Sequence, residues 1–160
     1  MGRAPLSART RLANAVSQHR NNCGLSQQGL AAATGISRNT IRRIESELSN
    51  VQLDTVGQLA RILKVDPCSF FSTQHFDPPT KRRIDGLRIC VAANVRLYRE
   101  EHSKGQNEMA LDLGLAKGHL GLIERSALNL RIDTLEGIAA YLHVPLFKFL
   151  MPRKDERSGK

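Results

Sequence analysis

Between Ser37 and Glu45 the chain runs SRNTIRRIE, placing three guanidinium groups (Arg38, Arg42, Arg43) and one carboxamide (Asn39) beside two isoleucines, Ile41 and Ile44. At helical spacing the isoleucines share one face and the polar groups lie on the other. Arg carries a rigid fork of N–H donors and Asn both a donor and an acceptor, so this face suits anionic or edge-presenting partners as well as water. On an isolated helix such a face is a solvated surface. What surrounds it decides.

The bulk properties favour a charged partner. The chain has 160 residues, a net charge of +9 and a pI near 10.1. Clustered Lys and Arg gain free energy by releasing counterions from phosphates, which suits nucleic acid or an anionic membrane surface. No apolar run approaches the roughly 20 residues that span a bilayer. The start, MGRAPLSART, has no apolar segment resembling a signal peptide, so a cytoplasmic protein is expected. A hydrophobic fraction of 41% with only 4% aromatics and no Trp points to small aliphatic cores of the helical-bundle kind. Cys23, Cys68 and Cys90 are odd in number and far apart, which indicates reduced structural thiols rather than a disulfide framework or zinc site. His19, His75, His102, His119 and His143 are scattered. With no metal-ligand spacing, phosphate-binding Gly loop or nucleophile and base set, neither an enzyme nor a cofactor is indicated.

The chain repeats itself. Shifted by 79 positions without a gap, Arg9, Ala13, Val16, Arg20, Gln27, Ala31, Gly35, Ile44, Glu45, Asn50, Asp54, Thr55, Ala60, Leu63, Val65 and Phe70 meet the same residue type at Arg88 through Phe149. Residues 1–75 and 84–151 are therefore expected to be two copies of one unit. TQHFDPPTKRR, with paired prolines and a basic run, marks a connector over 76–83, and the polar, charged end a tail over 152–160. Each copy is expected to be all-α, with five short helices. In the first, Ser7, Ser26 and Ser37 cap three helices, Asp54 or Thr55 starts a fourth, and Pro67 opens a last turn.

Gly35 falls where the second helix ends and the third begins, Ala31 lies one turn earlier, and Gly114 and Ala110 repeat both. With Gln27, Ile41 and Ile44, this arrangement resembles the helix-turn-helix of the Cro/C1 class of lambdoid phage repressors, the XRE family, over nearly the whole of each repeat. The resemblance implies two tandem five-helix, lambda-repressor-like domains binding double-stranded DNA. It makes Ser37 to Glu45 a recognition helix whose N-terminal half enters the major groove. Arg38, Asn39, Arg42 and Arg43 then face base edges and phosphates, where Arg pairs bidentately with guanine and Asn with adenine. Ser26, Gln27, Ser37 and Thr40 would hold the DNA backbone. Arg20 with Glu45, and Arg99 with Glu124, match a structural ion pair of the family.

The copies are unequal. Residues 1–75 carry +5, while residues 84–150 carry eight charges of each sign. The second copy's counterpart helix, AKGHLGLIER, has Lys117, Gly118, His119, Gly121 and Leu122 where the first has Arg38, Asn39, Thr40, Arg42 and Arg43. The two glycines are expected inside that helix, at a cost of about 1 kcal/mol each relative to Ala. Secondary DNA contacts fall to Lys104, Gln106, Lys117, His119 and Arg125. PLFKFLM offers Leu146, Phe147, Phe149, Leu150 and Met151 as a homodimer seam, with core packing as the alternative. The expected function is a sequence-specific transcriptional regulator, a repressor occupying its operator as a homodimer. The alternative is an antitoxin-like module whose second copy holds a protein partner.

Overall fold

Three serines start the first three helices. Ser7 accepts a hydrogen bond from the Thr10 amide at 3.2 Å, Ser26 from Gly29 at 2.9 Å and Ser37 from Thr40 at 3.1 Å, each satisfying a donor that the first turn leaves unpaired. The computed structural model describes residues 6–77, 86–126 and 128–152. Most of the expected connector (78–83) and nearly all of the expected tail (153–160) lie outside the described residues.

The described residues are all-helical. The first half comprises α1 (Ala8–Asn22), α2 (Gln27–Thr34), α3 (Arg38–Glu45), α4 (Leu53–Leu63) and a 3-10 turn (Pro67–Phe70). The second comprises α5 (Leu87–Glu101), α6 (Gln106–Asp112), α7 (His119–Glu124), α8 (Ile132–Tyr141) and α9 (Leu146–Phe149). Every element of the second half starts 79 residues after its counterpart except α7, which starts two residues late. Leu12, Val16, Leu30, Ile41, Ile44, Leu59 and Phe70 fill the first half; Val91, Val95, Met109, Leu120, Ile123, Ile138 and Phe149 fill the second. Both sets belong to one continuous core.

The two halves meet through reciprocal contacts. Gln52 and Arg131 form an isolated antiparallel bridge, flanked by Leu53 N–H to the Leu130 carbonyl and Ile132 N–H to the Val51 carbonyl, both at 2.9 Å. The Asp54 amide donates to Asn129 Oδ1, and the Asp133 amide donates to Asn50 Oδ1, both at 3.1 Å. Arg9 Nε donates to Asp133 Oδ1 at 2.8 Å, and Arg88 Nε to Asp54 Oδ1 at 2.7 Å. The 79-residue shift maps each contact onto its partner with the halves exchanged. Only a two-fold relation does this; a head-to-tail arrangement would join different surfaces.

The start of α4 follows from the seam. The sequence places it at Asp54 or Thr55, but the helix begins at Leu53 after Gln52, which makes no side-chain cap. The cap arrives from Asn129 of the other half.

The seam also accounts for the apolar run at the end of the second half. Leu146, Phe149 and Leu150 are buried, and Phe147 and Met151 are half-buried. Helix α9 packs against α5, α8 and the 3-10 turn of the first half. The Phe147 ring lies 6.0 Å from that of Phe76, and Tyr98 meets Phe149 edge-on at 5.1 Å. Cys68 Sγ donates to the Phe147 carbonyl at 3.4 Å, and burial pushes its thiol up to about 12. The buried amide of Asn94 donates to the carbonyls of Phe149 at 2.9 Å and Met151 at 2.8 Å. For Leu146, Phe147, Phe149, Leu150 and Met151 the sequence left two readings, a seam between two chains or core packing, and the second describes where they lie. They close the core and the seam within one chain, because the two-fold relation brings α9 and the 3-10 turn face to face.

Candidate nucleic-acid interface

The position of α3 is set from both ends. Gly35 closes α2 at φ +74°, in the left-handed region where a Cβ is strained, and its amide bonds the Ala31 carbonyl at 2.9 Å. Buried Ala31 keeps α2 and α3 close. Ile41 and Ile44 point into the core, so Arg38, Asn39, Arg42 and Arg43 all face solvent, as the spacing requires. Arg42 donates to Asn39 Oδ1 at 3.1 Å, and Arg43 to the Leu48 carbonyl at 3.0 Å. Ser37 and Thr40 share a hydroxyl hydrogen bond at 2.8 Å. Four polar groups thus share one exposed face, and these hydrogen bonds restrict the rotamers of three of them, Asn39, Arg42 and Arg43.

Beneath that face lies a half-buried polar cluster. Arg20 donates to both oxygens of Glu45, at 2.6 and 3.2 Å, and to the Leu25 carbonyl at 2.7 Å. Gln27, expected to hold the DNA backbone, donates its amide to Glu45 Oε2 at 2.9 Å. Charge and donors are therefore satisfied together, and α1, α2 and α3 are pinned to one another. The second half repeats the cluster: Arg99 grips Glu124 at 2.5 and 3.0 Å and the Lys104 carbonyl at 2.8 Å, and Gln106 reaches Glu124 Oε2 at 2.7 Å. The neighbouring Glu124 carboxylate holds the Arg99 pKa above its ordinary value.

The outer face is not repeated. Helix α7 has six residues against eight in α3, and its N-cap Gly118 sits at φ +78° with no side-chain cap. Gly118 therefore lies outside the helix, not within it as the sequence suggested; only Gly121 is interior. Gly121 is buried, and a Cβ there would come 3.4 Å from Arg125 Nη1 and Gln106 Oε1. The first turn, where α3 presents Arg38 and Asn39, is a bend carrying Lys117 and Gly118. Lys104 donates to Glu108 Oε1 at 2.7 Å and lies 5.8 Å from the Tyr141 ring, so its charge is largely engaged. Gln106 is committed to Glu124. Of the second-half residues expected near DNA, Gln106, Lys117 and Arg125 are exposed, while Lys104 and His119 are half-buried. Leu122 is 39% exposed at the position matching Arg43, and Leu111 on α6 is 79% exposed.

Residues 16–70 match the family model of helix-turn-helix domains. This segment is a helix-turn-helix domain. It spans α2, the Gly35 turn and α3, together with most of α1, α4 and the 3-10 turn. A protein of Neisseria meningitidis serogroup B (strain ATCC BAA-335 / MC58), described as a hypothetical transcription factor, is 32% identical over 69 residues. That match covers 43% of this chain and 65% of the relative, so the chain spans just under two thirds of the relative's length. The crystal structure of a Neisseria hypothetical transcription factor, NHTF, is similar at 30% identity and a TM-score of 0.42, covering 53% of this chain and 93% of that one. Among the described residues, no helix is long and apolar enough to cross a membrane.

Sequence reasoning passed over two features. Leu48, 62% exposed just after α3, holds Arg43 through its carbonyl, and nothing in its local pattern announces that. Arg9, Asn50 and Asp54 recur identically in a repeat that has otherwise drifted, yet no helix-turn-helix geometry requires them. Their recurrence was the signal for the seam.

Proposed function

We propose that this protein is a sequence-specific, double-stranded DNA-binding transcriptional regulator, a repressor acting by operator occupancy. The observation that carries the proposal is the exposed face of α3, held by a family-matched helix-turn-helix frame. In this reading residues 1–75 and 84–151 are two tandem domains of that type, and the first is the reader. The N-terminal half of α3 enters the major groove, Arg38 and Asn39 meet base edges, and Arg42 and Arg43 meet bases or adjacent phosphates. Ser26, Ser37 and Thr40 stand at helix N-termini, where amides and hydroxyls suit phosphate oxygens. Gln27 acts through Glu45, fixing the angle between α2 and α3. Occupancy by a homodimer joined through Leu146 to Met151 is not adopted, because those side chains are committed within one chain.

Exposed Leu111 and Leu122, on the α6 and α7 surface, favour a second reading in which the second half also holds a protein partner.

The test is selection of bound duplexes from a random pool at about 150 mM salt, since affinity depends steeply on ionic strength. Wild type is expected to enrich a motif, and Arg38→Ala plus Asn39→Ala to lose it. Weak binding by wild type that vanishes with salt and enriches no motif would refute a specific regulator and leave the protein-partner reading.

A further inference from the structure

The seam decides how many chains make one DNA-binding unit. A two-fold pair of helix-turn-helix domains normally needs two chains, yet here each contact of the pair has its mirror within one: Arg9 with Asp133 and Arg88 with Asp54, Asn50 capping α8 and Asn129 capping α4, and the Gln52 to Arg131 bridge on the axis. Short segments tie the axis to the third helices. Glu45 ends α3 seven residues before Gln52, and Glu124 ends α7 seven residues before Arg131. At about 3.5 Å per residue each arm reaches at most about 25 Å, which leaves the roughly 34 Å separation of adjacent half-sites within range.

The paired surfaces are chemically different. α3 offers Arg38, Asn39, Arg42 and Arg43; the matching positions in the second half are Lys117, Gly118, Gly121 and Leu122, of which only Lys117 carries charge. Glycine has no group with which to tell one base edge from another, and leucine brings none of the donors or acceptors that the groove code requires. Lys117 and exposed Arg125 suit phosphates, which hold position without carrying sequence.

We propose that one chain is a complete, internally paired DNA-binding unit whose target is an asymmetric duplex, with one half read by α3 and the other held through its phosphates by Lys117 and Arg125. This rests on the proposed DNA reading by α3. It makes the operator non-palindromic, and it makes binding first order in protein concentration, with no chain association to precede it.

The test uses the full chain and the duplex enriched from the random pool. Native mass spectrometry gives the stoichiometry, hydroxyl-radical footprinting the extent of contact, and salt titration the number of phosphates. One chain per duplex is expected, with a single conserved block and protection extending about one helical turn to one side of it. Lys117→Ala plus Arg125→Ala is expected to shorten the protection on that side and to lower the salt slope by close to 2, at about 0.9 per phosphate, while enriching the same motif. An inverted-repeat motif bound by two chains would overturn the proposal and leave reading by α3 intact. So would protection confined to the conserved block, or a double variant with an unchanged slope. Failure to enrich any motif would remove reading by α3 itself, and the asymmetric unit with it.

Discussion

The two halves agree in what they bury and differ in what they show. Arg20 with Glu45 and Gln27 matches Arg99 with Glu124 and Gln106 bond for bond, whereas α3 and α7 share none of their outward polar side chains. The interior cluster is a condition of folding. A largely buried charge left without its partner is strongly destabilising, so losing one member costs either half much of its stability. The outer face is under a weaker constraint: with glycines at 118 and 121, α7 is shortened at its start, yet Leu120 and Ile123 stay buried beneath it. The outer faces have therefore diverged while the frame has not, and the difference separates what holds the domain together from what it presents to a partner.

That separation can be broken experimentally, starting with the interior. Arg20→Ala and Arg99→Ala should each cost about 3–5 kcal/mol of stability, as expected for removing one partner of a buried pair. Urea denaturation should report similar losses for both, and a loss in only one half would contradict the equivalence of the frames. On the outer face the halves should diverge. Arg38→Ala is expected to cost about 1–3 kcal/mol of discrimination between specific and nonspecific duplex, the worth of one bidentate base contact, with little change in stability. Lys117→Ala should weaken both duplexes alike.

The seam sharpens the comparison, since it acts on both halves equally. Asn50→Ala removes the cap of α8 and Asn129→Ala that of α4, each at about 1 kcal/mol, the usual worth of an N-cap. If both caps serve one two-fold seam, the two losses should match in thermal unfolding. The smallest change concerns Leu122. Leu122→Arg restores the cation found at Arg43, and a salt titration should steepen by about 0.9 if the residue faces a phosphate. An unchanged slope would place α7 away from the duplex.

Most of the fold was legible in the sequence, because it rests on local signals: serine caps at Ser7, Ser26 and Ser37, apolar residues at helical spacing, and a glycine at the α2 to α3 turn. The polar face of α3 was legible for the same reason. What escaped was long-range. The α4 start depends on an asparagine 75 residues away, and α7 is shortened because Gly118 takes a left-handed conformation that local pattern does not dictate. The apolar run from Leu146 to Met151 reads identically whether it meets another chain or the other half of its own. The resemblance marks Gln27 for the DNA backbone, but its amide bond to Glu45, 18 residues along, is a pairing that no local pattern announces.

The central claim is that sequence discrimination resides in α3 and not in α7. It is tested most directly by the ratio of affinities for the enriched and a scrambled duplex at one salt concentration, measured for wild type, for Arg38→Ala plus Asn39→Ala, and for Lys117→Ala plus His119→Ala. The ratio should fall close to one in the first double variant and stay at the wild-type value in the second. An equal fall in both would show that the two halves read DNA together and would contradict the claim.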